Sequence, residues 1–240
     1  MSTPIIAAAR DLARRADRLR FRDPVRWVYN PLVYARTPHE EYLARYGASR
    51  KRLVLLGMNP GPWGMAQTGV PFGEISYVRD WLGIDGEVGQ PRQSHPRLAV
   101  QGFACTRSEV SGKRLWGLMQ AHYGSAERFS KDAFVSNYCP LLFLDAAGRN
   151  ITPDKLHRDD RGPLYSLCDR FLAIVIETLR PEWLAGVGAF AARRAAIVAP
   201  SAAALSVQVA SILHPSPASP RANRDWAAQA EGALTEQGIW

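Results

Sequence analysis

Residues 53–73, LVLLGMNPGPWGMAQTGVPFG, constrain this chain more than any other stretch. Residues 53–57 have the length and apolar composition of a buried strand. The loop that follows is stiffened by Pro60 and Pro62 and opened by Gly57, Gly61 and Gly64. Proline fixes φ and removes a donor, while glycine admits positive φ or the close approach of another group. The loop backbone is therefore shaped rather than slack, and Asn59 sits inside it. A lone Asn-Pro is usually a turn that hydrogen-bonds its own backbone. The second half of the chain supplies Asn59 with companions.

Three further strands are expected at residues 133–138 (AFVSNY), 182–187 and 206–213 (SVQVASIL). Around them, helices are expected at residues 3–19, 39–46, 74–82, from a Ser111 cap to 123, 189–198 and 224–237, with a long surface excursion at 85–102. The aromatic, proline-broken residues 25–36 are expected to pack around the first strand. Helical stretches alternating with strands imply a three-layer α/β/α domain on a central four-stranded parallel sheet. In such sheets ligands bind at the carboxyl ends of the strands. Asn59, Asn137 and His214 all fall at or just beyond those ends.

Amides and one imidazole suit a neutral planar ligand with alternating N–H and C=O groups, such as a pyrimidine, and can stabilise charge that develops on it. The chain carries no GxSxG elbow, HExxH, Walker loop or GxGxxG after a strand, which removes most support for hydrolase, zincin and NTPase readings. Cys105, Cys139 and Cys168 are widely spaced with no CxxC, so neither a disulfide framework nor a four-thiolate cluster is available. No metal and no cofactor is expected.

A net charge of +8 points to an anionic partner, nucleic acid first. Only four of the 30 basic residues are Lys, so an Arg- and Ala-rich coding bias accounts for part of the excess. At 240 residues and 47% hydrophobic the chain suits one domain over 1–240, with residues 1–24 as an N-terminal helical extension. Asp11 and Asp17 argue against a mitochondrial presequence, and no apolar run reaches the ~20 residues of a membrane span. The expectation is a soluble, intracellular monomer with no membrane partner: cytoplasmic, nucleoid-associated if bacterial, nuclear if eukaryotic.

GMNPGPWGMAQTGVPFG at 57–73, RSEVSGKRLWG at 107–117, NYCPL at 137–141 and HPSPASPRAN at 214–223 together closely resemble the single-strand-selective monofunctional uracil-DNA glycosylases. The resemblance runs over about residues 25–230 and is specific, because long motifs recur in the right order. It implies hydrolysis of the N-glycosidic bond of deoxyuridine in single- or double-stranded DNA, leaving an abasic site without strand cleavage. By position, Asn59 matches the residue that places the attacking water and His214 the one that stabilises the departing base at O2. Phe72 matches the ring that stacks on the flipped base, and Asn137 the amide that reads its edge. Gly57, Met58, Gly61 and Met65 are implied in the base pocket, and Ser216, Ser219, Arg221, Gly188 and Lys113 in DNA contact. The uracil-specific branch has a tyrosine where Gly61 stands, blocking C5 of the base. Glycine there implies room for a polar C5 substituent, hence acceptance of 5-hydroxymethyluracil. The bulky basic wedge residue of the family is replaced by Ala218, with Arg221 as the substitute. Two alternatives stand beside this reading: a non-catalytic DNA-binding or damage-sensing relative, and an enzyme acting on free nucleosides.

Overall fold

The computed structural model describes residues 3–201 and 206–240; residues 1–2 and 202–205 of the expected domain lie outside the described residues. In chain order the elements are α1 (Pro4–Ala16), β1 (Trp27–Tyr29), α2 (Pro31–Tyr34), α3 (Arg36–Tyr46), β2 (Leu53–Gly57), α4 (Met65–Thr68), α5 (Val110–Tyr123), α6 (Ala126–Asp132), β3 (Ala133–Asn137) and β4 (Leu142–Leu144). Then follow β5 (Asn150–Ile151), α7 (Arg158–Leu179), β6 (Trp183–Val187), α8 (Ala189–Val198), β7 (Gln208–Ile212) and α9 (Trp226–Glu236).

Strands β3, β2, β6 and β7 lie in that order in one parallel sheet, so the chain folds as the three-layer α/β/α domain expected. Leu53, Val54, Leu55 and Leu56 are fully buried, as a central strand covered on both faces must be. The edge strand β7 buries only Ala210 and Ile212. The apolar stripe of α1, with Ile5, Ile6, Ala9 and Leu12, joins the same core and packs along α7. Arg10 ties α1 to α3 through Glu40, which accepts from its Nε at 2.8 Å and Nη2 at 2.6 Å.

Several expectations are corrected. The helix expected over 74–82 contains a π turn at Tyr77–Trp81 and stops at Gly83, whose φ is 65°. The helix expected to be capped by Ser111 starts two residues earlier, at Val110, with Glu109 at the cap position. Ser111 is buried and faces the cleft described below. A small antiparallel sheet in the order β1, β4, β5, unanticipated from sequence, flanks the main sheet, and residues 25–36 contribute β1 and α2 to that region. Among the described residues no helix is long and apolar enough to cross a membrane.

Candidate active site

Strand register assembles the site. Gly57, last in β2, lies opposite Asn137, last in β3, and Asn59 follows two residues later. Val187, last in β6, lies opposite Ile212, last in β7, and His214 follows two residues later. The resulting cleft, of about 400 Å³, is lined by Met58, Asn59, Gly61, Met65, Phe72, Asn137 and His214, and also by Glu109, Ser111, Asn150 and Thr152.

The floor depends on close contact. A Cβ on Gly57 would lie 2.3 Å from Asn137 Oδ1 and 2.4 Å from Phe72 Cε2, so any side chain there would displace both. Phe72 itself has φ 54°, a left-handed conformation that costs a non-glycine residue of order 1 kcal/mol. The strained turn buries its ring beneath the cleft, 6.2 Å from the His214 ring between centroids and tilted by 39°. Its carbonyl oxygen lies 2.1 Å from where Gly112 would carry a Cβ, which explains the glycine inside the first turn of α5.

Three polar side chains then face the cleft with unspent hydrogen-bonding capacity. Among the described residues Asn137 Oδ1 is buried without a partner, and its Nδ2 reaches only the Met65 sulfur at 3.3 Å, a weak acceptor. An orphaned buried acceptor costs ~1–3 kcal/mol unless a ligand supplies a donor. Asn59 Nδ2 donates to Leu141 O at 3.3 Å and Pro60 O at 3.4 Å, which fixes the amide and leaves Oδ1 as an acceptor. His214 Nδ1 accepts from the Ser216 N–H at 3.1 Å, and burial pushes the imidazole pKa below its ordinary 6.5. The ring is thus neutral near pH 7, with its remaining proton on Nε2.

Glu109 is the group the sequence did not single out. Its side chain crosses Gly64 and Gly61: Cγ lies 2.9 Å from a Cβ placed on Gly64, and Oε2 lies 2.3 Å from one placed on Gly61. Neither glycine has positive φ, so close approach explains both. Burial pushes the Glu109 carboxyl pKa up, partly offset by the backbone N–H groups of Ser111 and Trp63, while Glu74 adds to the rise.

The 214–223 loop is clamped by Arg114, which donates from Nη1 to Pro215 O at 3.0 Å and from Nη2 to Asn223 Oδ1 at 2.9 Å. Asn223 Nδ2 in turn donates to Pro217 O at 3.0 Å. Inside the loop Ser216 Oγ accepts from Ala218 N–H, and Ser219 Oγ from Ala222 N–H. Lys113, Pro217, Ala218 and Arg221 are exposed beside the cleft-forming segments. Gly188, with φ 91°, lies against His214, whose Cβ is 3.0 Å from where a glycine side chain would start. The Gly188 N–H is occupied by Ile212 O at 2.8 Å, so it supports His214 and is not free to hold a phosphate.

The family model of the uracil DNA glycosylase superfamily matches residues 44–233, a span that contains every cleft-lining residue named above. The chain belongs to that superfamily. A rat single-strand selective monofunctional uracil-DNA glycosylase is 48% identical over 221 residues, covering 92% of this chain and 79% of the relative. The bovine protein of the same name is also 48% identical, covering 92% of this chain and 81% of its own, and the mouse protein is 47% identical. The crystal structure of wild-type Pedobacter heparinus SMUG2 shares the fold with TM-score 0.63 and 18% identity, covering 96% of this chain and 94% of that one.

Within this uracil-DNA glycosylase fold, the structure brings Gly57, Met58, Asn59, Gly61, Met65, Phe72, Asn137, His214 and Ser216 to one cleft. Ser219, Arg221 and Lys113 lie outside it on neighbouring segments. Glu109, Arg114, Asn150 and Thr152 escaped sequence reasoning. For Glu109 and Arg114 a signal existed, since both lie in RSEVSGKRLWG; Asn150 on a two-residue strand and Thr152 just after it arrive with none. Among the described residues no cluster of His, Cys, Asp or Glu has metal-ligand geometry.

Proposed function

We propose that this chain is a monofunctional uracil-DNA glycosylase in which the cleft above holds the extruded base. Asn137 carries the reading: an unpartnered buried acceptor beside a barely engaged donor is complementary to N3–H and O4 of uracil. Cytosine presents an amino group and a bare ring nitrogen there, and meets the amide with the wrong polarity.

With the Watson–Crick edge on Asn137, O2 turns to His214 and C5 to Gly61. The glycosidic electron pair leaves with the base, and negative charge grows on O2. The Nε2–H of neutral His214 stabilises that charge, an effect of ~3–4 kcal/mol by comparison with other oxyanion donors. Asn59 Oδ1 accepts a hydrogen bond from the water that adds to C1′. An amide is a poor base, so Asn59 orients that water; the water bonds to C1′ of a sugar that already carries positive charge, and its proton passes to solvent. Among the described residues lining the cleft there is no lysine amine of the kind a strand-cutting lyase step uses, which supports hydrolysis alone.

Extruding the nucleotide costs a few kcal/mol, less from a mismatch or single strand, and stacking on Phe72 returns ~1–3 kcal/mol. Lys113 and Arg221, exposed near the loop that carries His214, suit contact with the phosphates on either side. We read the protein as acting as a monomer on single- and double-stranded DNA, and on 5-hydroxymethyluracil alongside uracil.

The test is incubation with a single-stranded oligonucleotide carrying one uracil, beside free deoxyuridine. Free uracil, an oligonucleotide cut only after alkali, and no release from the nucleoside would support the reading. DNA binding without release would indicate a non-catalytic relative, and equal release from deoxyuridine a nucleoside hydrolase.

A further inference from the structure

The geometry points to Glu109 as a specificity-determining residue: its carboxyl group accepts a hydrogen bond from a hydroxyl borne on C5 of the bound base and turns away a C5 carboxylate. The inference rests on the reading above, in which the base lies in this cleft with O2 at His214 and its N3/O4 edge at Asn137.

In a uracil ring C5 stands across from C2. Fixing O2 and the N3/O4 edge therefore leaves C5 facing the remaining wall, formed by Gly61 and Met65 of the central loop. That wall is not empty. The space a side chain at position 61 would take is filled by Glu109, whose Oε2 lies 2.3 Å from the missing Cβ. The stem of the same side chain lies in the gap left by Gly64, so two glycines of the loop are cleared for one carboxyl group from the start of α5.

Among the described residues Glu109 forms no ion pair with a cation. The groups that act on it are the Ser111 and Trp63 backbone N–H groups and, unfavourably, Glu74. The nearby Arg107 guanidinium lies over the Trp63 ring, 4.7 Å from its centroid. Two backbone N–H groups leave part of this half-buried carboxylate's acceptor capacity unspent, and it would be stabilised by a further donor. Water supplies it when C5 carries only hydrogen. A hydroxymethyl group can displace that water and restore the hydrogen bond, whereas a methyl group displaces it and restores nothing. A carboxylate on C5 meets like charge.

The experiment uses the full chain and three oligonucleotides that differ only in the target base: uracil, 5-hydroxymethyluracil and 5-carboxyuracil. Specificity is read as kcat/KM ratios to uracil for wild type, Glu109→Gln and Glu109→Ala. Wild type should excise 5-hydroxymethyluracil and leave 5-carboxyuracil nearly untouched. Glu109→Ala should lower the 5-hydroxymethyluracil ratio roughly tenfold or more, the usual scale for a hydrogen bond to a charged group. Glu109→Gln, close in shape, should raise the 5-carboxyuracil ratio by a similar factor, and it decides the matter if the alanine variant does not fold. Ratios within twofold of wild type, or a parallel fall on every base, would overturn the role. A wild-type protein that frees no uracil would instead defeat the underlying reading of the cleft, which keeps the two failures distinct.

Discussion

The backbone N–H of Ser216 donates to Nδ1 of His214 at 3.1 Å, which fixes the imidazole tautomer from two residues away. The remaining N–H is Nε2, and burial disfavours a second proton. Protonation would have to occur at Nδ1, and it would cost Ser216 its acceptor.

Neutral His214 should therefore be the active form. Its pKa is depressed below 6.5, so the ring is already neutral at that pH and stays neutral as pH rises. Single-turnover base release should be flat from about pH 6.5 to 8.5 and fall only on the acid side, by up to tenfold per pH unit. A loss of activity on raising pH through 6.5 would mean that a cationic imidazole is needed.

Arg114 holds the loop that carries His214 through Pro215 O and Asn223 Oδ1. Arg114→Ala should slow base release about tenfold. Arg114→Lys should rescue little, because one ammonium cannot span both acceptors as a guanidinium fork does. Rates equal to wild type in both variants would show that the loop is held by its own serine turns and by Trp226, whose Nε1 donates to Leu213 O at 2.7 Å.

Gly61 and Glu109 should behave as one unit. Gly61→Ala places a methyl group against the far end of a flexible side chain, so the fold should lose about 1 kcal/mol, the low end for an added methyl group, while the carboxyl swings aside. The 5-hydroxymethyluracil to uracil ratio should then fall as it does in Glu109→Ala, and the double variant should be no worse than either single one. Additive losses would separate the two residues.

Acid stability should carry the signature of His39. It is buried, its Nδ1 bonds Gly69 O at 2.7 Å in the central loop, its Nε2 has no partner among the described residues, and burial takes its pKa down to about 4. A histidine depressed in the folded state contributes full stability above about pH 6.5 and loses it as pH falls toward 4, here by about 3 kcal/mol. Below pH 4.5 a second loss should begin at Glu40, held near 2 chiefly by its hydrogen bond from Arg10. Urea unfolding from pH 7 to 4 checks this, and His39→Gln should flatten the slope. An unchanged slope would assign the sensitivity to other groups.

The main sheet was legible because its strands are short β-prone segments, apolar in three of the four, that end on turn residues, with Asn59, Asn137 and His214 just beyond. The side sheet was not, since β4 and β5 have three and two residues and pattern needs more length to speak. Helix α7, unassigned from sequence, opens on RDDRGP, and Pro163 inside it disguises 22 helical residues. The glycines of the central loop could be read as freedom or as close approach. Only the fold shows that Gly61 and Gly64 accommodate Glu109, a residue far along the chain. The helix start at Val110 was missed for the same reason, because Glu109 at the cap position reaches into the cleft while a serine two residues on looks like the better cap.

The central claim is that the amide at the end of β2 directs water onto the sugar of an extruded nucleotide. Single-turnover release of uracil by Asn59→Ala, measured beside binding of the same single-stranded oligonucleotide, tests it most directly. The account predicts a loss of about a hundredfold or more in release, the usual scale for a lost catalytic hydrogen-bonding group, with binding kept within a few-fold. Wild-type release by Asn59→Ala would contradict it.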